Sequence, residues 1–394
     1  AVFRDMSAQA SWTRPAMASI HTSLHASGHN TMSKVAVLPD SLTTLAEALQ
    51  QKGVQTGAVV TNYNLEPRFG FDQGFDHYTY LAPDRYLGAP ADANRLAAYN
   101  VYRLLREKLL PGQREARHFY QEGDRVNEAG LELLGRLDPD RPFFLWLHYM
   151  EPHDPYFAAD GQSYARVSSP NPDPSLAGPM LAAYHEDVRR FDRIFANLQQ
   201  SLKAQGYEDV AILLTSDHGE EFAEHGGFYH GVTLYEEQLE LPLIIAGTGV
   251  QVGIREDLAR QIDLAPTIAT LLGVAPAPQW EGRDLLGSTP APAYTLAEED
   301  HQGNRLTSIR ETTGERYKLI QANPDNPRGL KPTELYSLTR DPGETTALTS
   351  PTGDTLRVAQ AELQESSQNA GAAPESAPLD EDAEAELRSL GYIQ

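Results

Sequence analysis

The sequence predicts an α/β fold with a doubly wound, mainly parallel sheet flanked by helices, followed by a small C-terminal α+β subdomain. The first observation is a set of short apolar segments, each followed by a polar loop, which is typical of buried parallel strands. They are residues 57–60, 143–147 and 210–215, and residues 243–246 form a fourth apolar segment. The second observation is the helical periodicity between them, with apolar residues three and four positions apart.

Composition divides the 394-residue chain into three parts. Residues 1–287 carry the alternation of strands and helices and predict a large α/β domain. Residues 288–345 begin polar and proline-rich and then show a strand pattern, which predicts a small subdomain. Residues 346–394 are rich in Ala, Glu, Ser and Gln, and this composition predicts a solvated, partly disordered tail.

The formal charge of -23 argues against a nucleic-acid partner, because a phosphate backbone is bound through clustered lysine and arginine. An anionic substrate would be repelled by that charge, so its site needs local positive charge, which a divalent cation supplies most simply. The sequence has no cysteine, which excludes disulfides and thiolate metal ligands. No apolar run approaches the roughly 20 residues that span a bilayer, so we expect a membrane tether only through segments absent from this sequence.

The segment Thr215-Ser216-Asp217-His218-Gly219 directly follows a predicted strand. In open α/β sheets ligands bind beyond the carboxyl ends of the strands, so these side chains are expected where a site should lie. A carboxylate oxygen beside an imidazole nitrogen suits Zn²⁺, Mn²⁺ or a similar cation. The alternative is a polar turn in which Asp217 caps a helix.

Two further histidine-bearing loops follow the same logic. His148 ends a predicted strand, and His153 lies between two prolines that restrict its loop. His225 and His230 lie in a glycine-rich loop, where the backbone can approach a ligand closely and a histidine can donate to a substrate oxygen. We predict catalytic roles for His153 and His230 and substrate binding by His148 and His225. The alternatives are a core histidine for His148 and a flexible surface loop for His225 and His230.

The hydroxyl of Thr13 precedes Pro15 and a helix-like run. At a helix N-terminus the backbone N–H groups and the dipole favour an anion, which suits a nucleophilic alkoxide whose pKa a metal lowers. The alternative is a capping threonine without chemistry.

Taken together and in this order, these segments resemble the sulfatase branch of the alkaline phosphatase superfamily. The stretch of residues 13–23 is similar to its nucleophile signature, and residues 152–156, 216–222 and 230–245 are similar to its active-site loops. The resemblance implies that residues 1–287 are the catalytic domain of a hydrolase of sulfate or phosphate esters. The same resemblance implies a divalent cation, Ca²⁺, Mn²⁺ or Zn²⁺, held by Thr13, Asp217 and His218. It also implies specificity loops near residues 83–125 and 158–179, and it favours a periplasmic, secreted or membrane-associated protein.

The sequence departs from the family pattern in two places. Sulfatases carry Cys or Ser at the position of Thr13 and convert it to formylglycine, and they have an arginine where Met17 stands. Relatives that use threonine directly act on phosphorus esters, so both changes shift the expectation towards phosphorus. The family also begins with a strand that ends in metal-binding aspartates, and nothing before Thr13 resembles it, so we expect this chain to lack that strand.

The leading hypothesis is therefore a hydrolase in which Thr13 attacks phosphorus or sulfur, with assistance from His153 and His230, on a small-molecule, glycan or lipid ester. A two-metal phosphodiesterase, with Asp154, His153 or His230 at the other metal, is an alternative. A third possibility is a non-catalytic relative that binds anionic glycans or lipid head groups.

Overall fold

The structure is a computed structural model that describes residues 1–89, 93, 96–312, 314–348 and 361. The predicted tail, residues 346–394, lies outside this part apart from residues 346–348 and 361. Within it the helices are α1 (Thr13–Thr22), α2 (Ala26–His29), α3 (Leu45–Gln50), α4 (Ala97–Leu109), α5 (Gly123–Leu134), α6 (Ala177–Ala204), α7 (Glu236–Leu239) and α8 (Leu264–Leu271). None of the described helices is long and apolar enough to cross a membrane.

The strands of the same part fall into several small sheets. They are β1 (Val2–Phe3), β2 (Met6–Ser7), β3 (Gln55–Val60), β4 (His77–Tyr80), β5 (Phe143–Leu147), β6 (Tyr156–Phe157), β7 (Ser163–Tyr164), β8 (Ile212–Thr215), β9 (Glu221–Phe222), β10 (Phe228–Tyr229), β11 (Leu243–Ala246), β12 (Ile254–Arg255), β13 (Ala259–Arg260), β14 (Tyr294–His301), β15 (Asn304–Glu311), β16 (Tyr317–Ala322) and β17 (Thr333–Ser337). The parallel strands and their covering helices agree with the predicted α/β class.

Strand β3 is the centre of a parallel three-stranded sheet in which β4 and β5 flank it. All six of its residues are buried, as expected for a strand with neighbours on both edges. Helix α5 packs closely on this sheet because two glycines leave room for it. A Cβ atom at Gly57 would lie 2.6 Å from Leu133 Cδ2, and one at Gly130 would lie 2.7 Å from Leu147 Cδ2.

A second sheet has the order β12, β1, β11, β8. Strand β11 runs antiparallel to both β1 and β8, so the only pairing described for β8 is antiparallel rather than the parallel one expected. The prediction that residues 143–147 and 210–215 are buried strands is also wrong in part, because every residue of β5 and β8 is only half-buried. In the described chain each of these strands has a hydrogen-bonded neighbour on one edge alone, and its other edge accounts for the exposure.

Both sheets nevertheless pack on the same helical layer. Leu134 of α5 and Leu198 and Leu202 of α6 form a buried cluster that contacts the apolar side chains of both β5 and β8. This shared layer brings the carboxyl ends of β5 and β8 to one side of the molecule, where the predicted site residues follow.

The C-terminal strands β14 to β17 form an antiparallel meander that is joined to the rest of the molecule by a buried ion cluster. Lys318 Nζ lies 2.7 Å from Glu236 Oε1 of α7 and 3.0 Å from Glu344 Oε1, and the side chain of Lys318 is fully buried. Burial lowers the pKa of Lys318, but the two carboxylates outweigh it and the net shift is upward. Lys318 is therefore charged, and its ion pair with Glu236 links the meander to α7.

We expect Lys318→Met to destabilise the fold, because the substitution leaves the buried carboxylate of Glu344 without its cation and leaves Glu236 paired with Arg310, 3.7 Å away. Breaking a buried ion pair costs about 3–5 kcal/mol. Urea denaturation followed by circular dichroism measures the loss, with Lys52→Met, at an exposed lysine, as the matched control. Equal stability of the two variants would show that the cluster does not hold the meander in place.

Candidate active site

Thr13 is the first residue of α1, as expected from the sequence, and its side chain is buried. Asn62, just beyond β3, donates from Nδ2 to Thr13 Oγ1 at 3.4 Å. The same hydroxyl oxygen lies 3.5 Å from His218 Nε2. The hydroxyl thus faces the carboxyl end of the sheet, and α1 directs its N-terminus there.

Asp217 and His218 follow β8 and meet the Thr13 hydroxyl. His218 Nε2 lies 3.5 Å from Asp217 Oδ2, the same distance as from Thr13 Oγ1. His218 Nδ1 lies 2.8 Å from the carbonyl oxygen of Gly219, which can only accept, so in the neutral ring Nδ1 carries the proton. Nε2 therefore presents a lone pair towards a carboxylate and a hydroxyl.

This donor set fits part of a divalent-cation site. A lone-pair nitrogen, a carboxylate oxygen and a hydroxyl oxygen that meet at one point are all suitable ligands of a divalent cation. Burial raises the pKa of Asp217, but His218, His148 and a hydrogen bond from Thr13 outweigh it and lower the pKa overall, so the carboxylate is charged. In the part of the chain described, no group of three or more His, Cys, Asp or Glu residues is arranged to hold a metal.

Gln261 links the two segments that converge here. Its Nε2 donates to the backbone oxygen of Asp217 at 2.5 Å, and its Oε1 accepts from the backbone N–H of Gln9 at 2.9 Å. Gln261 is fully buried, so water does not compete for either hydrogen bond. A single amide therefore connects the loop after β8 to the segment that leads into Thr13.

His230 packs directly against His218, with ring centroids 4.1 Å apart. Its Nδ1 lies 2.9 Å from Glu220 Oε1 and 3.4 Å from an Nη2 of Arg166, which can only donate. Burial raises the pKa of Glu220 to about 8, so Glu220 is protonated at neutral pH and donates as well. Two donors at Nδ1 leave the ring proton on Nε2, which makes neutral His230 a hydrogen-bond donor.

His153 lies beside His230, with ring centroids 5.2 Å apart, but its tautomer differs. Its Nδ1 lies 2.7 Å from the carbonyl oxygen of Asp154 and so carries the proton in the neutral ring. Burial lowers the pKa of His153 despite the nearby Asp154 carboxylate. The neutral ring therefore has its lone pair on Nε2, so His153 accepts where His230 donates.

His148 follows β5, and its backbone N–H donates to the carbonyl oxygen of Val59. The ring is buried, which lowers its pKa to about 4, although the carboxylate of Asp217 acts in the opposite direction. Among the residues described, its Nδ1 has no hydrogen-bond partner. The structure thus brings His148 near Asp217 with one ring nitrogen available.

The structure does not bring His225 to this cluster. Its ring stacks on Tyr235, with centroids 3.6 Å apart, and Nδ1 lies 2.7 Å from Glu237 Oε1. Its Nε2 lies 3.1 Å from the carbonyl oxygen of Glu344. Both ring nitrogens are engaged by protein oxygens that join this loop to α7 and to the segment after β17. Substrate binding by His225 stays a prediction that its position does not support.

Sequence reasoning missed Asn62, Gln261, Arg166 and the role of Glu220. Asn62 had a usable signal, because it follows the predicted strand of residues 57–60 as Asp217 follows its own. Gln261 and Arg166 had none, since a glutamine and an arginine in polar segments are ordinary surface residues until the fold is known.

The segment before Thr13 is also held from the C-terminal meander. Ser11 Oγ donates to Glu299 Oε2 of β14 at 2.8 Å. Glu299 is buried, and burial raises its pKa to about 8 although the Ser11 bond opposes the shift. The protonated carboxyl is therefore the form that the fold prefers at neutral pH.

Because the folded pKa of Glu299 lies above the ordinary value of 4.5, the native state binds the extra proton between those values. Its contribution to stability is complete at low pH and declines as the pH rises through about 8. We expect Glu299→Gln, which resembles the protonated form, to lose less stability than the unsubstituted protein between pH 6 and pH 9. Urea denaturation at both pH values measures this, and an unchanged slope would contradict it.

Comparison with known proteins is consistent with this geometry. The model of a family described as Sulfatase matches residues 1–274. The chain is similar to arylsulfatase K of Danio rerio, with 29% identity over 175 residues that cover 41% of this chain and 32% of the relative. It is also similar to choline-sulfatase of Rhizobium meliloti, with 26% identity over 249 residues that cover 53% of this chain and 46% of the relative. The chain thus spans between 32% and 46% of the length of these curated relatives.

Solved structures share the fold over nearly the whole chain. BT4656, solved in complex with its substrate D-glucosamine-2-N,6-O-disulfate, has a TM-score of 0.70 at 17% identity, covering 93% of this chain and 90% of that one. The phosphonate monoester hydrolase of Agrobacterium radiobacter has a TM-score of 0.69 at 18% identity, covering 93% and 88%. At these identities the likeness concerns the fold alone, and it confirms the predicted α/β class.

Proposed function

This chain belongs to the sulfatase family, and we propose that it hydrolyses a sulfate or phosphate ester with Thr13 as nucleophile and a divalent cation as cofactor. The observation that carries the proposal is the meeting of Thr13 Oγ1, Asp217 Oδ2 and His218 Nε2, with the imidazole nitrogen 3.5 Å from each oxygen. The substrate is a small-molecule, glycan or lipid ester. The relatives described above include proteins named for sulfate esters and for phosphonate monoesters, which supports this breadth.

The cation would be held by Asp217, His218 and Thr13, and the imidazole ligand favours Mn²⁺ or Zn²⁺ over Ca²⁺. When bound, it would lower the pKa of the Thr13 hydroxyl and offset negative charge on the substrate. The chain's own contribution is to hold that hydroxyl at the start of α1, where Asn62 fixes its direction through one hydrogen bond. Holding the nucleophile in a fixed orientation lowers the entropic cost of reaching the transition state.

In the first step the Thr13 hydroxyl gives up its proton to water, and its oxygen forms a bond to phosphorus or sulfur while the bond to the leaving oxygen breaks on the opposite side. The leaving oxygen then needs a proton or a hydrogen bond, and His230 can donate one from Nε2 because Glu220 and Arg166 act on its Nδ1. His153, with its Nε2 lone pair, suits acceptance of a proton from the water that later hydrolyses the Thr13 ester. The two histidines thus have complementary roles.

Phosphorus esters are the better supported of the two substrate classes. Threonine cannot form formylglycine in the way that cysteine or serine does, so Thr13 must act through its own hydroxyl. Asp154, the carboxylate among the three residues considered for a second metal, instead accepts from the backbone N–H of Arg166 at 3.1 Å and lies 3.9 Å from the Arg166 Nε. This occupied carboxylate favours one cation over two.

We expect Thr13→Ala to reduce turnover of 4-nitrophenyl phosphodiesters, phosphomonoesters and sulfates to background in the whole natural protein, assayed with Mn²⁺ or Zn²⁺. Thr13→Ser is the matched control, because it keeps the hydroxyl and should keep measurable turnover. Unchanged activity of the alanine variant would remove Thr13 from the mechanism. Absence of turnover on every ester, with binding retained, would instead favour a non-catalytic protein that binds anions.

We expect His230→Gln to lower turnover about 100-fold for an ester with an alkyl leaving group, since loss of proton donation costs about 10²–10⁴-fold. For the 4-nitrophenyl ester the loss should be much smaller, because that leaving group departs without a proton. His225→Gln, outside the cluster, is the control and should leave both rates near those of the unsubstituted protein. Equal losses on both esters would assign His230 to another role.

A further inference from the structure

Two nitrogen-bearing side chains, Lys34 and His301, have no part in the mechanism described above, and a third, Arg166, acts in it only through His230 Nδ1. Lys34 lies in the loop after α2, Arg166 lies between β7 and α6, and His301 ends β14. They come from widely separated parts of the chain, and their mutual electrostatic influence shows that the fold brings them together.

Lys34 is the most unusual of the three. Its Nζ atom is buried without a hydrogen-bond partner among the described residues, and no described carboxylate forms an ion pair with it. Burial, together with the nearby guanidinium groups of Arg166 and Arg14, lowers the pKa of Lys34 to about 7. A buried ammonium without a counter-ion is costly, so this position favours an anion.

The loop that carries Lys34 is held rigidly by Arg14. The fully buried guanidinium of Arg14 donates to the carbonyl oxygens of Ser33, Lys34 and Ala36 and to Asn64 Oδ1. These bonds engage the guanidinium in shaping the backbone rather than in reaching a ligand. The side chain of Lys34 thus projects from a preformed loop.

Arg166 supplies a second positive charge beside the site. Its Nη2 contacts His230 Nδ1 at 3.4 Å, its guanidinium lies 4.5 Å from the centre of the Tyr229 ring, and its Nε is buried without a hydrogen-bond partner in the described chain. Burial lowers the pKa of Arg166, but neighbouring acidic groups, Asp154 foremost, outweigh it, so the side chain is charged.

His301 closes the group on the side of the nucleophile. Its ring lies against that of Trp12, with centroids 4.4 Å apart, and its Nε2 would lie 3.7 Å from a Cβ atom at Gly231. It is therefore adjacent both to the residue before Thr13 and to the residue after His230. Burial, with the positive charges of Lys34, Arg166 and Arg14, lowers the pKa of His301, which is neutral and able to donate one hydrogen bond.

The positive charge of Lys34 has no carboxylate beside it. Asp154 Oδ1 lies 3.9 Å from Arg166 Nε and Glu220 Oε1 lies 2.9 Å from His230 Nδ1, and no described carboxylate forms an ion pair with Lys34 Nζ. In a protein with a formal charge of -23, a buried cation that has no described counter-ion and acts on His301, which packs on the residue before Thr13, is best explained by a bound anion.

We propose that Lys34, Arg166 and His301 form a subsite for a second anionic group of the substrate, a carboxylate, sulfate or phosphate distinct from the ester that Thr13 attacks. The inference rests on the proposed function for the position of the reacting ester. It defines the substrate class as esters that carry at least one further negative charge. Lys34 and Arg166 supply the attraction, and His301 supplies a directed hydrogen bond.

Two matched ligands test this subsite without turnover. Propylphosphonate carries the phosphonate alone. In 3-phosphonopropionate a carboxylate replaces its terminal methyl group. We expect calorimetric titration of the whole natural protein, loaded with Mn²⁺, to give at least tenfold tighter binding of 3-phosphonopropionate. In Lys34→Gln that preference should fall to within about twofold, which corresponds to the loss of roughly one charge-assisted contact, while affinity for propylphosphonate stays unchanged.

Lys52→Gln, at an exposed lysine, is the control and should retain the preference. Titration with 3-sulfopropylphosphonate, which carries a sulfonate in place of the carboxylate, shows which second anion is preferred. The pair propane-1-sulfonate and 3-sulfopropionate repeats the comparison with a sulfonate at the reacting position. Equal affinities for the matched ligands in the unsubstituted protein, or a preference that survives Lys34→Gln, would overturn the subsite. If the preference holds while Thr13→Ala retains full turnover, the proposed function fails and the subsite stands.

Discussion

The structure of the site depends on the approach of one hydroxyl and one carboxylate to the same imidazole nitrogen. Thr13 Oγ1 and Asp217 Oδ2 each lie 3.5 Å from His218 Nε2, although Thr13 and His218 are 205 positions apart in the sequence. Gln261 links the two backbones through its two amide atoms, which restrains the segment before Thr13 relative to the end of β8. Three electron-rich atoms held this closely favour a cation, and the proposed chemistry follows from that.

Around this point the protein uses burial to assign opposite protonation states to neighbouring groups. Asp217 remains charged because histidines and a hydroxyl compensate it, whereas burial keeps Glu220 protonated at neutral pH. The consequence extends to the two histidines beside them. His230 presents a proton and His153 presents a lone pair, because different partners hold their Nδ1 atoms. One class of side chain thus serves two chemical roles through its neighbours.

The C-terminal meander contributes to the site as well as to stability. Lys318 ties it to α7 through a buried ion cluster, and its first strand carries both Glu299, which accepts from Ser11, and His301, which packs against Trp12. The residues before Thr13 are therefore positioned from two directions, by Gln261 and by the meander. The proposed anionic subsite draws on the same convergence of distant segments.

The sequence by itself determined the α/β class and the strand at residues 143–147, because hydrophobic periodicity is a local property. It also identified the candidate site residues, because polar side chains at the ends of strands and at the start of a helix can be recognised locally. These residues are Thr13, His148, His153, Asp217, His218 and His230. The sequence did not determine that β5 and β8 are half-buried, that β11 runs antiparallel, or that His225 is engaged by Glu237 and Glu344. Those outcomes depend on which edges and side chains meet across the fold. The proposed subsite of Lys34, Arg166 and His301 could not be predicted either. Whether a charged side chain is buried and paired depends on which distant residues the tertiary structure places beside it.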